Sequence, residues 1–196
     1  MSEVADHKIR NLMKPVIELL SGIPSVVYGF FGLIVIVPLL QRVFDLPVGE
    51  SGLAGSIVLA IMALPTIITV TEDAMRNCPR AMREASLALG ASQWQTIYKV
   101  VIPYSISGIT SGVVLGIGRA VGETMAVLMV TGNAAVIPHS ILEPLRTIPA
   151  TIAAELGEAP AGGAHYEALF LLGVVLFFIS LLINFTVEAV SSGKRK

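Results

Sequence analysis

The sequence contains little charge and a single cysteine, and both shortages narrow the classes of protein to which it can belong. Only 14% of the 196 residues are charged and 54% are hydrophobic, whereas about a quarter of an ordinary soluble domain is charged. The chain is therefore too apolar to keep a soluble surface or to remain disordered. The lone Cys78 excludes an intrachain disulfide framework and a multi-cysteine metal site. A net charge of −1 gives no electrostatic footprint for nucleic acid.

Signatures of catalysis are also missing from the sequence. An intramembrane hydrolase would need a histidine, a paired aspartate or a metal motif at membrane depth. The three histidines, His7, His139 and His165, fall outside the apolar stretches, and no His-Glu-x-x-His pattern occurs. No Gly-x-x-x-x-Gly-Lys-Ser/Thr loop for nucleotide phosphates is present either. The sequence therefore predicts no catalytic residue and no metal site.

Four long apolar stretches predict four membrane-spanning helices. About 20 apolar residues are needed to cross a ~30 Å hydrocarbon core, and the spans are expected at residues 19–41, 51–71, 104–131 and 168–187. Buried helices of a soluble protein are the alternative, but four such stretches leave too few polar residues to cover them. The expected fold class is all-α, a polytopic membrane helix bundle in which residues 1–196 form one transmembrane domain.

The lysines and arginines of the connections are unevenly distributed, and this predicts the orientation. Ten of them lie in the N-terminal segment, in the loop at residues 73–103 and in the C-terminal tail, whereas the other two connections contain only Arg42 and Arg146. Cytoplasmic connections carry the excess of positive residues. The termini and the 73–103 loop are therefore expected in the cytoplasm, and the 132–167 loop outside a cell membrane.

The 73–103 loop has the pattern of two short helices. Pro79 suits a first helical turn, and Gly90 can end that helix in the left-handed conformation. Ser92 and Gln95 form a capping-box pattern that opens a second helix, and Pro103 then starts the third span. A basic and apolar helix pair between two spans either docks on a partner or rests on anionic headgroups. The physical pattern alone leaves both possibilities open.

Arg119 and Glu123 are the only charges inside a predicted span. Arg119 falls near the middle of the third span, where an arginine costs at least ~2.5–3.5 kcal/mol. A spacing of four places both residues on one helix face. Three glycines continue that face at the same spacing: Gly108, Gly112 and Gly116. The pair is either a buried ion pair, an arginine that reaches outward, or an anion site whose guanidinium presents forked donors to an oxyanion.

The 73–103 loop resembles the EAA loop of ABC importer permeases, which reads Glu-Ala-Ala, three residues, Gly, nine residues, then Ile-x-Leu-Pro. The matching residues are Glu84, Ala85, Ser86, Gly90, Val100, Ile102 and Pro103. In that family the loop forms coupling helices that sit in a groove of the ATPase subunit. The resemblance implies a MetI-like permease core in which Glu84, Ala85, Ser86, Gly90, Ile102 and Pro103 couple the chain to an ATPase.

Three further stretches resemble permeases of the phosphate-specific transport (Pst) family. They are residues 14–29, residues 64–74 and residues 118–127, of which the last resembles the PstC branch. The resemblance implies that Arg119 and Glu123 lie in the translocation pathway. It also implies a transport subunit that is no enzyme and holds no cofactor, with ATP and Mg on a separate ATPase, and that imports inorganic phosphate by alternating access.

The resemblance implies several partners and leaves alternatives. The partners are a second, PstA-like permease subunit, an ATPase dimer, an extracytoplasmic phosphate-binding protein and the lipid bilayer, with no nucleic acid. An importer of another oxyanion, such as molybdate or sulfate, is the alternative, because the EAA loop does not discriminate substrates. A channel or a non-transporting assembly subunit is a rival class. Ser2, Glu3 and Ala5 resemble a segment that follows two earlier spans, so a fragment or shortened homologue is expected.

Overall fold

The computed structural model describes residues 7–192, most of which are helical. The α-helices of this part are α1 (His7–Gly22), α2 (Ser25–Phe31), α3 (Val37–Val43), α4 (Gly52–Arg76), α5 (Arg80–Ala88), α6 (Gln93–Thr96), α7 (Ile102–Val121), α8 (Met125–Val130), α9 (Ile148–Glu155) and α10 (Ala164–Ser192). Two π-helical turns, Gly32–Ile36 and Ile97–Val101, join α2 to α3 and α6 to α7. Ser2, Glu3, Ala5 and the basic tail at residues 194–196 lie outside the described residues.

Four helical stretches in the described part of the chain are long and apolar enough to cross a membrane. They are Ser25–Val43, Gly52–Arg76, Gln93–Val121 and Ala164–Phe185. The first begins at Ser25 rather than at the predicted residue 19, because Pro24 adopts an extended conformation and separates it from α1. The second reaches Arg76 rather than residue 71, so its last turn carries charged residues.

Each π turn stands two residues before a proline. A proline ring clashes with the carbonyl four residues earlier in an ordinary α-helix. For Pro38 and Pro103 those carbonyls belong to Ile34 and Lys99, and both lie within a π turn. The wider π turn leaves room for the ring. Both helical stretches therefore continue through their proline.

The single domain expected from the sequence divides into two compact units. The described part of the first unit comprises residues 7–22, 64–117 and 183–192. In this unit the second half of α4 packs against the first part of α7. A side chain at Gly112 would lie only 3.2 Å from Cβ of Val70, and one at Gly108 would collide with Ala74. The predicted glycine face is therefore a close helix–helix contact.

The second unit comprises residues 23–63 and 118–182, and its core forms where α2 and α3 meet the first half of α4 and α8. A side chain at Gly29 would lie 2.8 Å from Cα of Ala126, so α2 and α8 approach each other at backbone distance. The first turn of α4 is satisfied by the following loop, since the amide of Leu53 donates to the carbonyl of Ile141 at 2.8 Å.

The helix of the predicted 104–131 span is interrupted. α7 ends at Val121, and α8 begins at Met125 after the break Gly122-Glu123-Thr124. The Glu123 carboxylate accepts a hydrogen bond from the Ala126 amide at 3.0 Å, which satisfies one of the free amides at the start of α8. Arg119 therefore lies in α7 whereas Glu123 lies in the break, and the expectation that they share one helix face is wrong.

Candidate functional site

The two short helices of the 73–103 loop form as the sequence predicts. Gly90 has a φ of +83°, the left-handed conformation that favours glycine. The Ser92 hydroxyl accepts from the Gln95 amide at 3.3 Å, and the Ser92 amide donates to Oε1 of Gln95 at 2.9 Å. Both halves of the capping box are thus present. Pro79 stands just before the first residue of α5 rather than inside its first turn. The α5–α6 pair, residues 80–96, is called the coupling pair below.

The EAA-type residues differ in what they present to a partner. Glu84, Ala85 and Gly90 are exposed, so a docking protein could touch them directly. Ser86 is half-buried, and its hydroxyl lies 2.9 Å from the Thr96 hydroxyl, which ties α5 to α6. Ser86 therefore holds the coupling pair together. Ile102 and Pro103, half-buried and exposed respectively, form the first turn of α7.

Large apolar side chains project from the coupling pair and the π turn that follows it. The exposed fractions are 90% for Leu89, 74% for Tyr98 and 67% for Trp94. These residues were not among the sequence-predicted contacts, although an apolar cluster in an otherwise basic loop is a signal that could have identified them. Exposed aromatic side chains rimmed by charge are typical of protein–protein contacts. The three are called the apolar patch.

One side chain of the coupling pair and one of the first turn of α7 contact the end of α4. Nη2 of Arg83 donates to the Met75 carbonyl at 2.7 Å, and the Ser105 hydroxyl donates to the Ala74 carbonyl at 3.0 Å. The last carbonyls of a helix lack partners within the helix and carry partial negative charge. The Arg83 guanidinium therefore makes a favourable contact there. Sequence reasoning missed Arg83, although it directly precedes the first residue of the EAA pattern.

A buried carboxylate joins α1 to α4. Glu72 is only 8% exposed, and its Oε1 lies 2.6 Å from Nη2 of Arg76 and 3.8 Å from Nε of Arg10. A buried carboxylate needs such partners, because burial of an uncompensated charge is strongly unfavourable. Arg10 thereby fixes the first half of α1 to the last turns of α4.

The predicted anion residues lie in the second unit, at the break after α7. Arg119 is half-buried in the last turn of α7, where the helix dipole favours a positive charge. Glu123 is half-buried, and its carboxylate caps α8. A guanidinium in this position can present several N–H donors to a bound oxyanion.

A cavity of about 490 Å³ adjoins the same break. Gly122 and Thr124, which flank Glu123, form part of its wall, and α9 with the two residues that follow it contributes most of the rest. Its lining residues are Gly122, Thr124, Pro149, Ile152, Ala153, Leu156, Gly157 and Leu176. Within the part of the chain that the structure describes, no three His, Cys, Asp or Glu side chains come together as metal ligands would. Arg119 itself is not among the residues that line this cavity.

Residues 4–196 match the family model described as binding-protein-dependent transport system inner membrane component. The chain belongs to this family. The probable ABC transporter permease protein YqgH of Bacillus subtilis is 43% identical over 195 residues, which are 100% of this chain and 63% of the relative. The phosphate transport system permease protein PstC of Pasteurella multocida is 37% identical over 202 residues, which are 93% of this chain and 62% of that relative. PstC 1 of Mycobacterium bovis is 39% identical over 191 residues, which are 86% of this chain and 56% of that relative.

This chain therefore spans less than two thirds of the length of these curated relatives. Its fold is similar to that of the MetNI methionine ABC transporter solved in inward facing conformations. The TM-score is 0.74 at 19% identity, and the match covers 98% of this chain and 79% of that chain. The expected all-α fold class and MetI-like permease core are confirmed, as is the resemblance to the phosphate permeases.

Proposed function

We propose that this chain is a permease subunit of an ATP-driven importer that carries inorganic phosphate across the cell membrane. Relatives named as phosphate permeases are 37–39% identical over most of the chain, and this supports phosphate as the substrate. The observation that carries the proposal is Arg119, a cation in the last turn of an apolar, membrane-length helix. Its forked donors match the oxygens of a tetrahedral oxyanion. The chain itself is not an enzyme and needs no cofactor of its own.

The proposed soluble partners bind on opposite sides of the membrane. A separate ATPase dimer, which binds ATP and Mg²⁺, docks in the cytoplasm on the coupling pair. Its contacts are Glu84, Ala85 and Gly90 together with the apolar patch, and the exposure of these side chains supports the assignment. A second, PstA-like permease subunit completes the pathway. An extracytoplasmic binding protein delivers phosphate on the side of residues 132–167.

The proposed mechanism is alternating access driven through the coupling pair. When the ATPase dimer closes, it pushes on the exposed side of α5 and α6. Arg83 is bonded to the last turn of α4, and Ser105 bonds α7 to the same turn. Through these hydrogen bonds, α4 and the first part of α7 move together with the coupling pair when it is displaced. This arrangement gives two spans that respond together to ATP hydrolysis.

Arg119 is proposed to bind phosphate transiently during transport. A cation at membrane depth is costly, so Arg119 gains further from an incoming anion when the site is dehydrated. Glu123 holds the start of α8 and supplies a negative charge next to the site. This negative charge weakens anion binding enough to allow release, because like charges repel strongly at short range in a medium of low dielectric constant.

Radiolabelled phosphate uptake by the full transporter, reconstituted with its partner subunits, tests the proposal. Arg119→Lys keeps the charge but removes the planar fork. We expect uptake to fall by about tenfold or more, since the loss of one charge-assisted hydrogen bond costs roughly 1.5–3 kcal/mol. The double variant Arg119→Gln, Glu123→Gln should assemble normally and lose uptake, because a glutamine at position 123 still offers an oxygen to the Ala126 amide. Normal assembly with wild-type uptake by the double variant would refute the role of Arg119.

A matched control and a competition assay complete the test. Arg42 is also an arginine in the last turn of a helix, α3, but it is exposed, so Arg42→Lys should transport normally. An excess of unlabelled sulfate or molybdate should leave phosphate uptake unchanged. Competition by either anion as strong as that by unlabelled phosphate would favour an importer of another oxyanion, because a guanidinium alone matches any tetrahedral oxyanion.

A further inference from the structure

Helix α1 has a continuous apolar face that the protein covers only at one edge. At 3.6 residues per turn, its large apolar residues fall on one side: Ile9, Leu12, Met13, Val16, Ile17, Leu19 and Leu20. Ile17 is only 8% exposed, whereas Leu12 and Leu19 are 71% and 72% exposed. The buried residue lies beside Arg10 around the helix, at the edge that contacts α4 through Glu72. The other large apolar residues are exposed or half-buried, and Ile9, Leu12 and Leu19 have more than half of their surface accessible.

The composition of α1 argues against a further membrane span. Its described residues include Lys8, Arg10, Lys14 and Glu18, whereas a spanning helix needs about 20 predominantly apolar residues. Its opposite side is polar, with Asn11 and Glu18 exposed. Only Ile23 and Pro24 separate α1 from the first residue of the Ser25–Val43 stretch, so the end of α1 reaches the boundary of a span.

The charges around α1 are complementary to an anionic surface. Lys8 stands at one border of the apolar face and Arg10 at the other. Lys14 lies beyond Arg10 around the helix, with its Nζ 4.0 Å from Oε1 of Glu18. In residues 7–22 and 72–103, which hold α1 and the cytoplasmic connection of the same unit, lysines and arginines number seven and acidic residues four. Long basic side chains at the borders of an apolar face can reach the headgroups while their stems cover apolar surface.

We propose that α1 lies in the plane of the cytoplasmic membrane surface, with its apolar face in the acyl boundary and its lysines on anionic phospholipid headgroups. The ion pair between Arg10 and Glu72 then fixes this surface helix to the last turns of α4. Through this contact, the lipid composition of the cytoplasmic leaflet acts directly on α4. This inference concerns a contact with lipid and does not depend on which anion is transported.

Site-directed spin labelling of the full-length protein in nanodiscs tests the proposal. Cysteines replace Leu12, Val16, Asn11 and Glu18 one at a time in a Cys78→Ser background. Labels at Leu12 and Val16 should collide several-fold more with oxygen than with a water-soluble nickel complex, because oxygen concentrates in the bilayer. Labels at Asn11 and Glu18 should show the reverse. Equal access of nickel to both faces would overturn the proposal.

Two further measurements identify the occupant of the apolar face. Labels at Leu12 and Val16 that are shielded from both reagents would show that a protein segment covers the face, and this would also overturn the proposal. The depth of the Leu12 label should be greater in discs with anionic phosphatidylglycerol than in purely zwitterionic discs. Lys8→Gln with Lys14→Gln should abolish that difference, whereas the control Lys99→Gln, an exposed lysine outside α1, should retain it. A difference that persists without Lys8 and Lys14 would contradict the headgroup contact.

Discussion

Replacing Gly29 by alanine should separate α2 from α8 and destabilise the second unit. The new methyl group would lie 2.8 Å from Cα of Ala126 and 2.9 Å from Sδ of Met129. The methionine side chain can turn away, but the Ala126 backbone cannot, so a helix has to move by several tenths of an ångström. Ala126 is also the residue whose amide donates to Glu123. The same shift therefore disturbs the segment that follows Arg119.

The expected loss of stability is about 1–2 kcal/mol. Overpacking of a well-packed contact costs roughly 1–3 kcal/mol, and a backbone neighbour at this distance places Gly29→Ala in the upper part of that range. Removal of a glycine from a helix interior returns roughly 0.5–1 kcal/mol. Gly173 in α10 provides the matched control, because a methyl group there meets nothing within 4 Å. Gly173→Ala should therefore be neutral or slightly stabilising.

Equilibrium unfolding of the purified full-length protein in mixed detergent micelles, followed by circular dichroism, measures this difference. Gly29→Ala should unfold at a clearly lower denaturant fraction than Gly173→Ala. Phosphate uptake by the reconstituted transporter should fall for Gly29→Ala even at a temperature where the variant stays folded, because the start of α8 has shifted. If the two alanine variants unfold together, the close approach of α2 and α8 is not a stability determinant and the argument fails.

Three further predictions concern the coupling pair and the topology. Gly90→Val should strain the left-handed turn and weaken pull-down of the ATPase without affecting membrane insertion, and an unchanged pull-down would contradict the docking role. Arg83→Met should lower the phosphate imported per ATP hydrolysed while ATPase binding persists; the exposed control Arg80→Met should not, and equal ratios for both would remove Arg83 from the coupling path. A cysteine at Ala161 in a Cys78→Ser background should react with an impermeant thiol reagent in intact cells, and labelling only after lysis would invert the topology.

The parts of the fold that the sequence predicts are those whose cause is local. Gly90, Ser92 and Gln95 act within one helical turn of each other, so the end of α5 and the start of α6 can be read from the sequence alone. The glycine spacing in α7 likewise predicts a close helix contact. The sequence does not predict the identity of the contacting helix, because that depends on residues of α4 more than 30 positions away.

The break after α7 is not predicted. Gly122, Glu123 and Thr124 interrupt the apolar stretch, but apolar residues resume directly after them, so residues 104–131 are taken as one membrane-length helix. The cause of the break is a combination of a local cap and distant packing. The Glu123 carboxylate satisfies an amide at the start of α8, and α8 is held against α2 by the contact between Gly29 and Ala126. A periodicity analysis that treats residues 104–131 as one helix therefore places Arg119 and Glu123 on a common face that does not exist.

The break also changes the electrostatic account of the charged pair. In an unbroken helix, each charge would depend on the other for compensation at membrane depth, and their order along the chain is the weaker one for such a pair. In the structure, Arg119 occupies the last turn of one helix, where exposed carbonyl dipoles favour a cation. Glu123 stands just before the next helix and accepts an amide hydrogen bond there. Because each side chain gains from its own helix end, neither charge depends on the other alone for compensation, and this is the physical basis for proposing that Arg119 contacts the transported anion.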